Sequence, residues 1–102
     1  MGIVENNIVL NVIPIGFDNR LSRKALSGIC NLSDRQVRKA IEEIVQSGQA
    51  IIINMKKGYF IPNLKNEKDK KYYNLFISQE QSRITNLQKK MKSYNKMCEN
   101  LI

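Results

Sequence analysis

The sequence predicts a mainly α-helical chain interrupted by one small β-hairpin and closed by a long C-terminal helix. Three observations carry that expectation. Leu21 to Gln46, LSRKALSGICNLSDRQVRKAIEEIVQ, reads as two short helices joined by a tight turn. Residues 50–62, AIIINMKKGYFIP, then switch from a helical to an extended pattern. Residues 63–102 place apolar side chains on alternating three- and four-residue steps, the spacing of a helical seam.

The helix pair is the most informative stretch. Ser33 is an N-cap candidate, Gln36 three residues later completes a capping box, and Leu32 and Val37 have the spacing of a hydrophobic staple. Leu21, Ser22 and Leu26 repeat the cap and staple without the box. Asn31 stands in the turn, where its type is among the few besides glycine to tolerate positive φ. Ser27 is small enough to let the helices approach. Val37, Ala40, Ile41, Ile44 and Val45 share one face of the second helix, and Gly48 follows its end. Arg35, Lys39, Glu42 and Gln46 lie opposite, with Gln36 and Arg38 on the flanks. A helix-turn-helix of this kind is a DNA-reading geometry. The plainer alternative is an αα-hairpin with a solvated charged face.

Residues 3–15 are rich in β-branched side chains, yet Ile8, Val9, Val12 and Ile13 fit one helical face. A helix is expected, capped at Asn6 or Asn7 and ended by Pro14, because a helix-turn-helix needs a third helix to bury its apolar faces. Gly16 to Arg20 should then form a polar connection. Downstream, Ile51–Ile53 and Tyr59–Ile61 are expected to be strands around Met55-Lys56-Lys57-Gly58, with Gly58 supplying positive φ and Pro62 ending the second strand. A helix-turn-helix followed directly by a hairpin is a winged helix-turn-helix.

With these motifs in view, the chain resembles the winged-helix domains of bacterial regulators, the N-terminal domain of the biotin ligase-repressor among them. It is more similar still to small winged-helix proteins encoded by phages and prophages. In those an IP-G segment precedes the first motif helix, S-D-R-x-V-R opens the recognition helix, and G-Y-[FY] closes the wing. The corresponding residues are Ile13-Pro14 with Gly16, Ser33-Asp34-Arg35-Gln36-Val37-Arg38, and Gly58-Tyr59-Phe60. The resemblance covers residues 5–62, and the helical tail in outline. No catalytic domain follows, so the enzymatic half of the biotin protein has no counterpart.

Length and charge agree with a binding role. The 102 residues suffice for one small domain, 1–62, followed by an amphipathic segment, 63–102. Lys and Arg number 17 against 9 acidic residues, a net charge of +8 that favours a polyanionic partner. There is no histidine, so the commonest general base is missing. No phosphate loop, converging carboxylate pair or metal-ligand spacing appears, so neither catalysis nor a cofactor is expected. Glu42 and Glu43 read as solvated helix charges. Cys30 reads as a small buried hydrophobe, and Cys98 stands alone. There is no bilayer-length apolar run and no signal-peptide pattern after Met1, so a reducing cytoplasm and no membrane partner are expected.

Duplex DNA is the expected partner, in a transcriptional regulator or a phage DNA-binding factor. The helix opening at Ser33 would read it through Arg35 and Lys39, with Gln36 and Arg38 as further candidates. Gln36 has competing duty in the capping box, and Arg38 can pair with Asp34 or Glu42. Arg23 and Lys24 would meet the backbone, and Lys56 and Lys57 the phosphates or the minor groove. The tail seam of Tyr73, Ile77, Ile84, Leu87, Met91, Tyr94, Cys98 and Leu101 is broken by Glu80. The tail could pair with a second chain, pack back on its own domain, or contact phosphate or lipid; a homodimer is expected, because the seam is too apolar to leave solvated and a small domain has little surface to cover it. Tyr72, Tyr73 and Phe76 are the expected docking point on the globular part. The alternative function is a non-catalytic assembly module that uses the winged helix as scaffold and the tail as contact surface.

Overall fold

In the computed structural model, residues 3–101 are described and form four α-helices, one 3₁₀ turn and a two-stranded hairpin. α1 (Ile3–Val12) packs across both helices of the motif and buries Val9 and, just beyond its end, Ile13. Pro14 stops it as expected. Asn6 and Asn7 are not its caps, because the helix is already formed at Ile3. Asn6 instead donates from Nδ2 to Glu43 Oε2 at 2.9 Å, so Glu43 is a tie between helices rather than a solvated charge.

α2 (Arg23–Cys30) begins at a Ser22 cap whose hydroxyl accepts from the Ala25 N–H at 3.1 Å. It ends at Asn31, which takes the left-handed conformation at φ 55°. The Leu32 N–H then reaches back to the Ser27 carbonyl at 3.1 Å, and the Ser27 hydroxyl donates to the Leu32 carbonyl. Ser27 therefore fastens the turn as well as leaving room for it. α3 (Asp34–Gln46) opens with both bonds of the capping box: Ser33 Oγ accepts from the Gln36 N–H, and Gln36 Oε1 accepts from the Ser33 N–H. At its other end Gly48, at φ 77°, donates to the Val45 carbonyl while Gln49 donates to that of Ile44. That two-bond closure needs a left-handed residue at this point. Val37, Ala40, Ile41 and Ile44 fill the core beneath, with Leu26 and Cys30 from α2. Val45, expected on the same face, is half exposed.

The hairpin consists of β1 (Ile53–Met55) and β2 (Gly58–Phe60), antiparallel, with Ile53 opposite Phe60 and Met55 opposite Gly58. It is tighter than expected. The turn is the two-residue Lys56-Lys57, at φ 50° and 62°, the left-handed pair of a type I′ turn. Gly58 has no positive φ; it is glycine for space, since an added Cβ would lie 2.7 Å from Cβ and Cδ of Arg20. β2 is also bonded along its outer edge. Tyr59 and Leu21 exchange both backbone bonds, and Ile61 pairs with Pro14 and Gly16 instead of with β1.

Gly16 to Arg20 is not simply polar. It folds as a 3₁₀ turn (Phe17–Asn19) with Phe17 buried among Ile53, Phe60, Tyr72 and Phe76. Phe17 stacks on Tyr72, centroids 4.1 Å apart, and meets Phe60 edge-on at 5.6 Å. Its N–H points at Asp69 near the start of α4 (Glu67–Leu101), a carboxylate only 3% exposed that also accepts from the Asn63 N–H at 2.8 Å. The aromatic docking point expected at Tyr72, Tyr73 and Phe76 is therefore present. Beyond it α4 leaves the domain, and every described residue from Gln81 onward is exposed. The radius of gyration is 17.1 Å, against about 13 Å for a compact chain of this size. No helix among the described residues is long and apolar enough to cross a membrane.

Asp69→Ala removes the acceptor for a buried N–H and should destabilise the protein by about 1–3 kcal/mol in urea denaturation. Asp18→Ala removes only the exposed 2.7 Å ion pair to Lys68 and should leave the midpoint where it is. Equal effects from the two would contradict this assignment.

Candidate nucleic-acid interface

The first turns of α2 and α3 meet at Asp34. Arg23 donates from Nε to one of its oxygens, and Arg38 Nε lies 3.5 Å from the other. The Arg23 pKa is raised, first by the hydrogen bond to Asp34 and then by Tyr59 on β2. One guanidinium thus ties the start of α2 to that of α3. All three members of this cluster are more than 40% exposed, so the attraction is screened and the cluster serves to fix register. Of the candidate residues, Arg23 and Arg38 therefore carry charge already shared with Asp34. Gln36 is engaged through its oxygen in the capping box, so it cannot make a two-bond contact to adenine without opening the cap. Ser33 Oγ is the acceptor in the same box, at 3.1 Å from the Gln36 nitrogen.

Lys24, Arg35, Lys39, Lys56 and Lys57 are exposed and, among the described residues, form no ion pair. Arg35, Arg38 and Lys39 line one shallow depression on the outer side of α3, together with Glu42. Glu42 also accepts from Gln46 at 3.2 Å. A carboxylate in this position repels phosphate and accepts from a cytosine amino group, so the face is equipped for base edges as well as for charge.

The wing tip has a feature that the sequence reading missed. Two successive lysines occupy left-handed backbone, where each costs roughly 1–2 kcal/mol relative to a residue suited to it. Asn-Gly is the usual solution for such a turn. The turn is held by Arg20, whose Nε donates to the Lys56 carbonyl at 3.3 Å and whose Nη1 donates to the Phe17 carbonyl at 3.2 Å. Its guanidinium sits 4.1 Å from the Phe17 ring centroid. No local motif marks Arg20, since its role comes from the space left by Gly58 across the fold.

The seam residues Ile77, Ile84, Leu87, Met91, Tyr94, Cys98 and Leu101 are all exposed on α4, away from this face. Tyr73, Phe76 and Ile77 border a groove of about 440 Å³ whose other wall is Val45 and Gly48–Ile52. In comparisons with known proteins the chain matched no family model, no curated protein and no solved structure.

Replacing the tip by Lys56→Asn with Lys57→Gly should raise stability by roughly 1–3 kcal/mol, read from the urea midpoint. A lower midpoint would show that the lysine side chains support the fold, contrary to the strain argument.

Proposed function

We propose that the chain binds double-stranded DNA, inserting α3 into the major groove and setting the wing on the adjoining backbone or minor groove. The observation that carries this is the corner where the starts of α2 and α3 and the hairpin converge. It is crowned by unpaired cations, two of them held in backbone conformations that lysine disfavours. Strain kept at a charged tip is intelligible when the charge has a ligand. The helix starts add backbone N–H groups and the positive ends of their dipoles, both suited to phosphate. Arg35 and Lys39 read base edges, Lys24 and Ser33 hold phosphate, and Lys56 and Lys57 anchor the flank. Arg23, Gln36 and Arg38 keep this surface in register and contribute less to contact. Such a protein is non-catalytic and works in the cytoplasm as a transcriptional regulator or a phage-type DNA-binding factor.

The second reading is an assembly module that engages a protein partner. It is favoured by the apolar groove between Val45–Ile52 and Tyr73–Ile77 and by the exposed side of α4. The two readings differ in which face responds to a partner.

Duplex fragments selected by the purified protein from its own genome should bind with strong salt dependence. Neutralising about 4–6 phosphates per chain gives a slope of about −4 to −5 in log K against log salt. A flat slope, or no binding at low salt, would overturn the proposal. Arg35→Ala should lose sequence preference as well as about 1–3 kcal/mol of affinity. Lys56→Ala with Lys57→Ala should weaken all duplexes alike. Two variants that bind as the wild type does would show that the face is misassigned.

A further inference from the structure

From Gln81 onward every described residue of α4 is exposed, and its composition does not favour a solitary helix. Ser78, Ser82, Thr85, Asn86, Ser93, Asn95 and Asn100 are weak helix formers, and the described ion pairs include only Glu80–Arg83 within this stretch. A helix of this kind draws its stability from packing one face. The available face is the seam, which in heptad terms puts Ile77, Ile84, Met91 and Cys98 at a and Tyr73, Glu80, Leu87, Tyr94 and Leu101 at d. Ile84 is 49% exposed and Leu87 60%.

The flanking positions say what covers it. Every e position from Asn74 to Asn95 is a neutral amide: Asn74, Gln81, Gln88 and Asn95. The charged g positions are both basic, Arg83 and Lys90. In a parallel pair g faces e of the partner, so Arg83 meets Gln88 and Lys90 meets Asn95, with no like charges opposed. In an antiparallel pair of full overlap Lys90 meets its own copy. Lys89, Lys92 and Lys96 lie outside the seam and remain in solvent in either case. Ile77 and Ile84 at a with Leu87 and Leu101 at d are the choices that favour two parallel strands. Glu80 and the two tyrosines, Tyr73 and Tyr94, interrupt the pattern, and the bond of Glu80 to Arg83 at 3.0 Å partly offsets its charge.

We propose that α4 pairs with the same helix of a second chain as a parallel two-stranded coiled coil over Ile77–Leu101. Past Glu80 the seam leads into the groove at Tyr73 and Ile77, and in a parallel pair the two domains stand at the same end of the rod. Their α3 helices are then related by the two-fold axis of the coil, which fits an inverted-repeat site. That last step rests on the DNA-binding reading; the pairing of α4 does not.

Full-length protein under reductant should sediment as a dimer from low to high micromolar concentration, gaining helicity as it associates. Mild oxidation should link Cys98 to Cys98, which share an a layer in the parallel pair. Antiparallel strands would hold the two sulfurs roughly 25–30 Å apart. Cys30 is buried, with its thiol pKa raised by desolvation, and Cys98→Ser should abolish the product. Glu80→Leu should tighten the dimer. Ile84→Lys with Leu87→Lys, both at exposed positions, should give a folded monomer that binds a single half-site as before but a paired site roughly 10²-fold more weakly. A monomeric mass at high micromolar concentration overturns the pairing, and a dimer that does not cross-link overturns the parallel arrangement. A cross-linked dimer that binds no duplex upholds the coil and removes only the DNA-binding reading.

Discussion

Phe17 is the residue on which the separate parts of the chain converge. Its ring lies between Phe60 of the hairpin and Tyr72 of α4, with Arg20 against one side, while its N–H meets the buried Asp69, 52 residues along the chain. The helix-turn-helix has a separate core built on Val9, Leu26, Val37 and Ile44. Without the Phe17 cluster the hairpin would be a two-stranded ribbon of three-residue strands, too small to hold its shape alone. Clamping that ribbon fixes where the wing lysines stand relative to α3. Clamping the start of α4 through the same ring fixes the direction in which the rod leaves the domain. The Phe17 ring and one buried carboxylate thus determine how the hairpin and the tail are oriented.

Local rules carry far in this sequence. The Ser33–Gln36 box, the Asn31 turn, the Gly48 closure and the Pro14 stop are each dictated by residues within a few positions, and each is found where expected. The failures share a different cause. Asn6 resembles a cap, but Ile3 and Val4 carry the helix past it, and its amide bonds to Glu43 on another helix. Gly58 resembles the bend of a hairpin, yet its lack of a side chain answers to Arg20, 38 positions away. Phe17 sits in a stretch that reads as a polar connection, yet its ring is buried against the hairpin and α4. In every case a distant partner decides the role, and one sequence read in order contains no record of it. Likewise, the pairing of Arg38 with Asp34 four residues away was legible, whereas the tie of Arg23 on α2 to the same carboxylate was not.

The energetics divide along the same line. In the interior one buried side-chain atom among the described residues, Asn6 Oδ1, goes without a hydrogen bond, and α2 and α3 open on the Ser22 and Ser33 caps. Unfavourable terms gather at the surface corner and along the tail: left-handed lysines, unpaired like charges, and an uncovered apolar seam. A small domain has limited stability to spare for such features. A polyanion laid across the corner and a second chain along α4 would relieve both, each through a distinct surface. This separation makes the two roles independent in experiment, since changes at positions 84 and 87 need not disturb those at 35 or 56.

The proposal that the α3–wing corner meets DNA is tested by an amide chemical-shift titration of the full chain with a duplex that it selects. The largest shifts should fall at Lys24, Ser33–Lys39 and Lys56–Lys57, with the Val45–Ile52 groove and the seam of α4 unchanged. Shifts concentrated in that groove or along the seam, with the corner silent, would contradict it.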